Sequence, residues 1–483
     1  MVRKPASRPD LKAFPMLLNE SLYVGVDIGK YQHVAGFVSR TLLERHERFE
    51  ACPALEFPQS REGFRSLIDR IASLAALSQV YVLLEHTGHY HRPLVQYLQE
   101  FAIPVYIMPV QQRPVGLLKS DKRDALNLAN HLYNQLELGA QLTDKTHLVR
   151  QLLPATETAL QLKGWMRHRY ELIREATQRK NKLTAICDEL FPEFTQVVKN
   201  PNGPTALALR ERFPTPAALA TAPFADLAQV RGKQSKPSNK QLAELQRLAL
   251  QTIGTKDLVR QRGLLLEQQQ LIRELKVLQE HIEQLDTAIL ELVKQSREGQ
   301  ILTSIPVIGP IQAAAIIATV GNILNFKKGS ELKAYFGWAP RKEQSGTSLD
   351  RAALAHTGTR MMKQMLFFIV ANAVQKKDCE WAKLYERLVP RMCRYDERKR
   401  AHRGKLKVMV RIAGQITEMI YALLKQDAEI LSKVPPGQEP PPPILYNPEV
   451  HRQHRNGQYR PLKNTLRQRK VIQLPQNVPA RDR

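Results

Sequence analysis

The chain has 483 residues, more than one hydrophobic core usually accommodates, so two or three domains are expected. Its 72 Lys and Arg residues against 46 Asp and Glu give a formal net charge of +26, which favours a polyanionic partner, nucleic acid before an anionic membrane surface. The sequence contains no apolar run of about 18 residues and no signal-peptide core, so neither a membrane span nor secretion is expected.

The four cysteines, Cys52, Cys187, Cys379 and Cys393, show no spacing that is typical of a zinc site. Reduced thiols are therefore expected, as in a cytoplasmic protein. Because the charge favours nucleic acid as the polyanion, a cytoplasmic protein of this kind is expected to associate with DNA, as nucleoid-associated proteins of bacteria and archaea do.

Residues 21–150 follow an N-terminal extension over 1–20 and alternate short apolar runs with amphipathic segments. This alternation is typical of an α/β layer with a partly parallel sheet. Residues 33–38 are expected to return beside the first strand as a hairpin. The predicted strands are 22–28, 80–84 and 104–108, and the predicted helices are 62–77, 93–98 and 121–136.

Residues 151–300 are expected to form long helices. One helix spans 155–195 and ends at Phe191-Pro192, because proline cannot continue a helix. Residues 199–240 contain several prolines and short Ala-rich pieces, which indicates a small insertion or a linker. A coiled-coil seam follows, and it can mate within the chain, with a second chain or with both, or serve only as a spacer. The seam consists of Leu271, Leu275, Leu278, Ile282, Leu285, Ile289 and Leu292.

Residues 301–430 are expected to form a second globular domain, mostly helical. The stretch 434–443 (VPPGQEPPPP) contains too many prolines for a packed element and predicts an extended linker. The last 35 residues are rich in Arg and Lys and poor in apolar residues. Residues 431–483 are therefore interpreted as a linker and a disordered basic tail that contacts phosphates.

Four carboxylates lie at the ends of the predicted elements of the first domain. Asp27 lies inside an apolar strand, Glu85 follows the second strand, and Asp121 and Asp124 share a face at the start of a helix. The carboxyl ends of strands and the adjacent helix starts meet at one edge of an α/β sheet. Two Mg²⁺ ions about 4 Å apart would neutralise such a cluster and hold a phosphodiester for in-line displacement.

Each carboxylate alone is ambiguous, because an Asp near a strand end more often caps a turn or a helix. Asp121 can cap its own helix, and the basic residues beside it can pair with the acids at the surface. The same cations suit a phosphate backbone, so they are candidate nucleic-acid contacts. These residues are Lys119, Lys122 and Arg123.

The motifs around these residues resemble those of the DEDD transposases of the insertion-sequence one-ten family. The N-terminal motifs are VGVDIGK around Asp27, LLEHTGHY around Glu85 and KSDKRDA around Asp121 and Asp124. The C-terminal motifs, in the family's order, are SIPVIGPIQAAAI at 304–316, FGWAP at 336–340 and QSG at 344–346. The resemblance covers roughly residues 21–425.

The resemblance implies a RuvC-like, ribonuclease-H-like first domain, then long coiled-coil helices and a helical C-terminal transposase domain. It implies two Mg²⁺ ions bound by Asp27, Glu85, Asp121 and Asp124, and a catalytic serine in the second domain, which the match places at Ser345. It also implies a structured guide RNA, encoded by the element, that pairs with donor and target DNA. Since two DNAs must be cut and exchanged together, a homodimer or tetramer is expected.

Ser345 lies in the polar stretch EQSGT at 343–347. The residues alone favour a turn cap, because a serine hydroxyl is a poor nucleophile unless it is activated. The resemblance favours the nucleophile instead, with Thr347 and Ser348 as nearby alternatives if the register differs.

The stretch IPVIGP at 305–310 lies between helical segments and resembles a helix-hairpin-helix turn, in which backbone N–H groups bind a phosphate. An ordinary turn between two packed helices explains it equally well. Gly309 at this turn, and Arg360 and Lys363 after the serine, are therefore candidate nucleic-acid contacts.

Three other functions fit parts of the sequence. A non-catalytic coiled-coil scaffold or another basic structural protein explains the charge but leaves the four carboxylates unexplained. The stretch VGVDIGKYQHVAGFV also resembles the phosphate hairpin of actin-like and sugar-kinase enzymes, but the sequence lacks the second glycine-rich loop that such an enzyme needs. Within the enzyme class, a metal-only junction resolvase would hydrolyse DNA without the serine.

Overall fold

The computed structural model describes residues 20–85, 89–108, 120–137, 150–151, 153–231, 237–345, 349–354, 358–435, 437–453 and 459. Of residues 150, 340–345 and 349–353 it describes the backbone alone. The chain divides into two compact units, residues 1–154 and 155–483, each with its own hydrophobic cores. None of the described helices combines the length and the apolar character that crossing a bilayer requires.

The first unit contains a mixed sheet flanked by helices. Its strands are β1 (Leu22–Ile28), β2 (Gln32–Val38), β3 (Ala54–Pro58), β4 (Val80–Glu85), β5 (Val105–Met108) and β6 (Arg150–Gln151). Its described helices are α1 (Arg40–His46), α2 (Arg61–Leu74), α3 (His91–Glu100) and α4 (Asp121–Leu136). The strand order in the sheet is β3-β2-β1-β4-β5-β6.

The connections of this sheet confirm the predicted α/β layer. β1 pairs with β2 antiparallel and with β4 parallel, and β4 pairs with β5 parallel. β1 and β4 are continuous apolar runs because they lie in the middle of the sheet with both faces covered. The edge strands β3 and β6 were not predicted from the sequence. All three predicted strands, the hairpin and the three predicted helices are present.

Alternate residues of β1 face two different cores. Val24 and Val26 pack with α2 and α3 in the larger core. Tyr23 on the other face packs with Leu83 of β4 and with Leu128 of α4. The face of the sheet that carries the odd-numbered residues of β1 is therefore the face that α4 covers.

The second unit is mostly helical. Its first part contains α5 (Glu157–Leu190), α6 (Phe194–Val197), α7 (Pro204–Arg212), α8 (Pro216–Thr221), α9 (Phe224–Gln229), α10 (Asn239–Leu250) and α11 (Leu258–Gln295). Its second part contains α12 (Arg297–Thr303), α13 (Pro310–Val320), α14 (Gly329–Tyr335), α15 (Arg360–Gln375), α16 (Glu380–Met392), α17 (Leu406–Leu431) and α18 (Pro448–Arg452). Two hairpins, β7 (Pro340–Ser345) with β8 (Leu349–Leu354) and β9 (Arg394–Asp396) with β10 (Ala401–Arg403), belong to this second part.

The predicted seam mates within the chain, where α11 packs along α5. Leu271, Leu275 and Leu278 share a core with Leu172 and Leu183 of α5. Toward the other end of α11, Ile289 is buried in the core of the C-terminal helices instead. Of the pairings that the sequence left open, the intrachain hairpin is therefore confirmed, and a further contact with a second chain stays a prediction.

Residues 194–250 form a small helical lobe with a core of its own rather than a linker. The lobe is joined to the helical hairpin through Arg210 of α7, which is only 5 % exposed. Its guanidinium donates to the Gln268 side-chain oxygen at 2.7 and 3.0 Å and to the Leu183 carbonyl at 2.7 Å. A fourth bond reaches the Pro201 carbonyl at 3.1 Å. Because burial makes an unpaired polar group costly, these bonds fix the position of the lobe.

Arg210→Leu is expected to destabilise the second unit by about 3 kcal/mol, because the buried acceptors around Arg210 lose their donor. The matched control is Arg212→Leu on the same helix, whose exposed ion pair with Asp226 spans 3.4 Å and contributes less than about 1 kcal/mol. Urea unfolding followed by circular dichroism measures both variants. Equal stabilities for the two variants would contradict this account.

The first residues of the predicted basic tail are packed against the C-terminal helices. Residues 448–452 form α18, and Val450 and His451 are buried against the C-terminal core. The Tyr446 hydroxyl lies 2.6 Å from His451 Nδ1, and the ring of Tyr446 stacks on Trp381 at 6.1 Å. The disordered tail predicted from residue 449 onward is therefore wrong for residues 449–453, because their few apolar and aromatic side chains all pack on one surface.

Candidate active site

Asp27 and Glu85 lie side by side at the carboxyl edge of the central strands. Val26 of β1 is in register with Leu84 of β4, so the next residues, Asp27 and Glu85, occupy neighbouring positions where the two parallel strands end. Glu85 is in turn opposite Met108 of β5. Both carboxylates are half-buried and fall on the face of the sheet that α4 covers, since residues alternate between faces.

Three contacts show that α4 runs antiparallel to β1. Tyr23 near the start of β1 donates to Glu137 Oε1 at 2.6 Å, just past the end of α4. Two residues later, a Cβ at Gly25 would lie 2.2 Å from the Ala125 carbonyl oxygen and from the Ala129 amide nitrogen. Glycine at this position therefore allows the helix to lie directly on the strand. The next residue on this face, Asp27, is at the level of the first turn of α4.

That first turn carries the other two predicted carboxylates. Asp124 is 4 % exposed, whereas Asp121 lies on the exposed side of the helix. The helix is capped by Ser120, whose hydroxyl accepts from the Arg123 amide at 3.3 Å. The cap role considered for Asp121 is thus taken by Ser120. The first turn of α4, with Asp124 on its buried side and Asp121 at its solvent side, lies at the level of the strand ends that carry Asp27 and Glu85.

The donor set at this edge consists of carboxylate oxygens, the ligands that Mg²⁺ prefers. In the described part of the chain, no three His, Cys, Asp or Glu side chains already form a metal-binding group. Mg²⁺ commonly keeps several waters and is held by one or two carboxylates together with substrate phosphates. The residues at this edge therefore fit a magnesium site that the nucleic acid completes.

Basic side chains lie beside the same end of α4. Lys122 and Arg123, with Arg48 and Glu50, line an open groove of about 470 Å³. Arg123 lies 3.5 Å from Glu50, so its surface partner is Glu50. Burial raises the pKa of the nearby Cys52 thiol to about 11, although the charge of Lys122 lowers it. Cys52 is therefore a packing residue. The charged groups that line the groove are mainly the ammonium and guanidinium groups of Lys122, Arg123 and Arg48.

A buried polar chain near this edge was not predicted from the sequence. His33 of β2, which is opposite Ile28, contacts Gln59 through its Nε2 atom. Gln59 donates to the Tyr90 carbonyl at 3.2 Å. Burial lowers the pKa of His33, and the hydrogen bond to Gln59 opposes that shift. These polar contacts link the β1–β2 turn to the segment before α3. The histidine in an otherwise apolar strand was the signal in the sequence that could have predicted them.

Ser345 lies in the second unit, at the tip of a β-hairpin. It is the last residue of β7, and its backbone pairs with Leu349 of β8. The strand pairing is continuous from Pro340 opposite Leu354 to this position. The sequence predicted a polar loop here, whereas the structure places Ser345 in a strand, as its last residue.

The base of that hairpin is packed tightly against α15. A Cβ at Gly358, which has a φ of +84°, would lie 2.6 Å from the Gly337 amide nitrogen. The indole of Trp338 is buried and donates to the Lys363 carbonyl at 3.3 Å. Arg360 and Lys363 thus lie in the first turn of α15, next to the segment that enters β7.

The predicted helix-hairpin-helix turn joins α12 to α13. Ile305 and Ile308 are buried, and the Gly309 amide donates to the side chain of Gln312 at 2.5 Å. Lys376 donates to the Pro306 carbonyl at 2.9 Å. The protein's own contacts hold this turn, and a phosphate contact at Gly309 stays a prediction. Lys119, Gly346, Thr347 and Ser348 lie outside the described residues.

Two family models match the chain. One, DEDD_Tnp_IS110, described as a transposase, matches residues 24–192. The other, described as a transposase of the IS116/IS110/IS902 family, matches residues 299–386. The matches include Asp27, Glu85, Asp121, Asp124 and Ser345, and together they cover more than half of the chain.

Curated relatives agree with these models. The insertion element IS110 43.6 kDa protein of Streptomyces coelicolor is 24 % identical over 86 % of this chain and 97 % of its own length. The insertion element IS116 44.8 kDa protein of Streptomyces clavuligerus is 23 % identical over 74 % of this chain and 86 % of its own length. The transposase for insertion sequence element IS1111A of Coxiella burnetii is 26 % identical over 28 % of this chain and 34 % of its own length.

These matches decide between the functions that the sequence left open. They disfavour the non-catalytic scaffold and the actin-like nucleotide enzyme, because both matched parts of the chain correspond to models of transposases. The chain belongs to the IS110 family of DEDD transposases and is a DNA transposase of an insertion sequence.

Proposed function

We propose that this transposase cuts and exchanges DNA strands through a Mg²⁺-dependent carboxylate site together with Ser345 as nucleophile. The observation that carries the proposal is that Asp27 and Glu85 end neighbouring parallel strands at the level of the first turn of α4, which carries Asp124. Carboxylates that share such an edge repel one another unless cations neutralise them. Asp121, at the solvent side of the same edge, completes the proposed set.

Asp27, Glu85, Asp121 and Asp124 would hold two Mg²⁺ ions, which polarise a phosphodiester when they are bound. Through those ions the carboxylates would hold the scissile phosphate at the edge, and Lys122 and Arg123 would bind flanking phosphates. Gly309, Arg360 and Lys363, with Lys119, are further proposed nucleic-acid contacts in the same strand exchange.

The proposed serine step conserves the bond energy of the DNA strand. The Ser345 oxygen forms a bond to phosphorus as the bond from phosphorus to the 3′ oxygen breaks. The serine proton is balanced by the proton that the released 3′ hydroxyl takes up. A 3′ hydroxyl of the second DNA then attacks the phosphoserine, which restores the serine and joins the exchanged strands.

The proposed partners follow from this reaction. Donor and target DNA are the substrates, and a homodimer or tetramer would cut both of them in one assembly. The family resemblance adds a structured guide RNA, which we propose as a third component. α5 and α11 are long helices, and we propose that the surfaces that they turn away from each other contact a second copy of the chain.

The experiment uses the full chain with end-labelled DNA that carries the ends of its element, with and without the element's non-coding RNA. In Mg²⁺ we expect a protein–DNA adduct that survives detergent and carries the 5′ side of the cut. No adduct is expected when EDTA removes the metal. Cleavage products that carry free 5′ phosphates and no adduct would favour the metal-only resolvase instead.

A further inference from the structure

The hairpin of β9 and β10, between α16 and α17, is an exposed and strongly basic element that the mechanism above does not use. Residues 391–407 contain eight Arg and Lys residues against two acidic residues. All eight basic side chains are exposed. The sequence resembles a solvated charge run, but the structure folds it into a defined two-stranded ribbon.

The cross-strand pairs give this ribbon two different faces. Arg394 lies directly opposite Arg403, and Tyr395 lies opposite His402 on the other face. Like charges that are directly opposite destabilise an antiparallel pair. The Tyr395 and His402 rings are 5.1 Å apart, and Tyr395 remains 52 % exposed. The ion pair of Arg403 with Asp396 offsets part of the repulsion from Arg394, and a bound polyanion would relieve the rest.

The acidic residue of the ribbon holds the turn in shape. Asp396 accepts from the amides of Arg398 and Lys399 at 3.1 and 3.3 Å and pairs with the guanidinium of Arg403. Arg400 closes the turn with a φ of +46°, in the left-handed region. In the part of the chain that the structure describes, Arg394, Arg398, Lys399 and Arg400 take part in no ion pair, which leaves their charges available to an external anion.

We propose that the β9–β10 hairpin docks a DNA duplex by lying in its major groove, with Arg394, Arg398, Lys399 and Arg400 on the phosphates at the groove walls. A two-stranded ribbon fits the B-form major groove, which is about 12 Å wide. The major groove of duplex RNA is too deep and narrow for side chains to enter. The inference deepens the proposed function by naming where DNA is held, and it involves neither the carboxylate edge nor Ser345.

The test measures binding of a short DNA duplex, and of an RNA duplex of the same sequence, over a range of salt concentrations in EDTA. The hairpin variant is Arg394→Gln, Lys399→Gln and Arg400→Gln combined, which keeps the Asp396–Arg403 pair. The control variant combines Lys240→Gln, Lys256→Gln and Lys294→Gln and loses the same amount of charge. All three lysines are exposed: Lys240 lies on α10, Lys294 on α11 and Lys256 between these helices.

The hairpin variant is expected to bind DNA about tenfold more weakly. The slope of log binding constant against log salt concentration (the salt slope) is expected to be smaller in magnitude by about 2 to 3, because each phosphate contact contributes about 0.9 to it. The control variant is expected to keep the wild-type slope, and RNA binding is expected to be equal for both variants. The single substitution Arg398→Gln changes the fold least and is expected to lower the magnitude of the salt slope by about 1. It checks that the loss in the triple variant comes from lost phosphate contacts.

Equal DNA slopes for the hairpin and control variants would overturn the proposal, and so would an equal loss of RNA and DNA binding. Because the measurement needs no metal and no strand exchange, its outcome is independent of the proposed catalytic residues. Inactive carboxylate or serine chemistry would leave this binding result unchanged.

Discussion

Replacing Asp27 with Asn is expected to slow DNA strand cleavage by about 10³-fold, while DNA binding changes by less than about twofold. Asn keeps the size of the side chain but removes the charge that would face the cation. A bound metal supplies several kcal/mol of transition-state stabilisation, and each 1.4 kcal/mol or so corresponds to a factor of about ten in rate. Single-turnover cleavage in Mg²⁺, with filter binding in parallel, measures both quantities.

The matched control is Asp69→Asn, an exposed carboxylate on α2 in the same unit. It is expected to cleave at the wild-type rate. If Asp27→Asn also cleaves at that rate, the carboxylate edge does not carry the chemistry. If the variant instead unfolds at a much lower temperature and loses DNA binding as well, Asp27 has a structural role.

Replacing Ser345 with Ala is expected to abolish the protein–DNA adduct and to reduce strand exchange by at least about 10⁴-fold. Loss of the attacking oxygen removes the covalent step altogether, and removing a nucleophile costs a covalent enzyme up to about 10⁶-fold in rate. Denaturing gels of the labelled DNA measure both the adduct and the exchanged product. DNA binding is expected to stay at the wild-type level, since the substitution removes only a hydroxyl.

The controls for this experiment are Thr347→Ala and Ser348→Ala, the two other hydroxyl residues that follow Ser345 closely in the sequence. Both are expected to keep the adduct. An adduct that persists in Ser345→Ala but disappears in one of the controls would move the nucleophile to that residue. Cleavage that continues in all three variants without an adduct would establish metal-only hydrolysis.

The first unit was largely predictable because its central strands are buried on both faces. Such strands are continuous apolar runs, and the carboxylates that follow them are visible as interruptions. α4 has the bounds that its periodicity predicts. β3 was missed because it is an edge strand in which Phe57 is the one buried residue, so its sequence carries no apolar run.

The second unit was predictable only where the sequence has a regular period. The seam of α11 follows a heptad pattern, and its contact with α5 is confirmed. The lobe over 194–250 and the packed segment around His451 have no such period, because their stability comes from tertiary contacts. Arg210 is the clearest case, since a lone arginine in a sequence indicates a surface charge and here is buried against Gln268.

The positions of the candidate carboxylates at strand ends and a helix start were predictable, but the local geometry around them was not. Strand ends and helix starts meet at one edge in any such sheet, which is why Asp27 and Glu85 end neighbouring strands and Asp124 lies in the first turn of α4. The difference in burial between Asp121 and Asp124 depends on how α4 is rotated on the sheet. That rotation is set by the contact at Gly25, which no local pattern reveals.

The most direct test of the central claim is anomalous diffraction from crystals of the full chain grown with Mn²⁺ as a stand-in for Mg²⁺ and with a DNA duplex bound. The account predicts a manganese peak within about 2.2 Å of carboxylate oxygens of Asp27 and Asp124, with a second peak about 4 Å away. Crystals that contain bound DNA and show no manganese at this edge would contradict it.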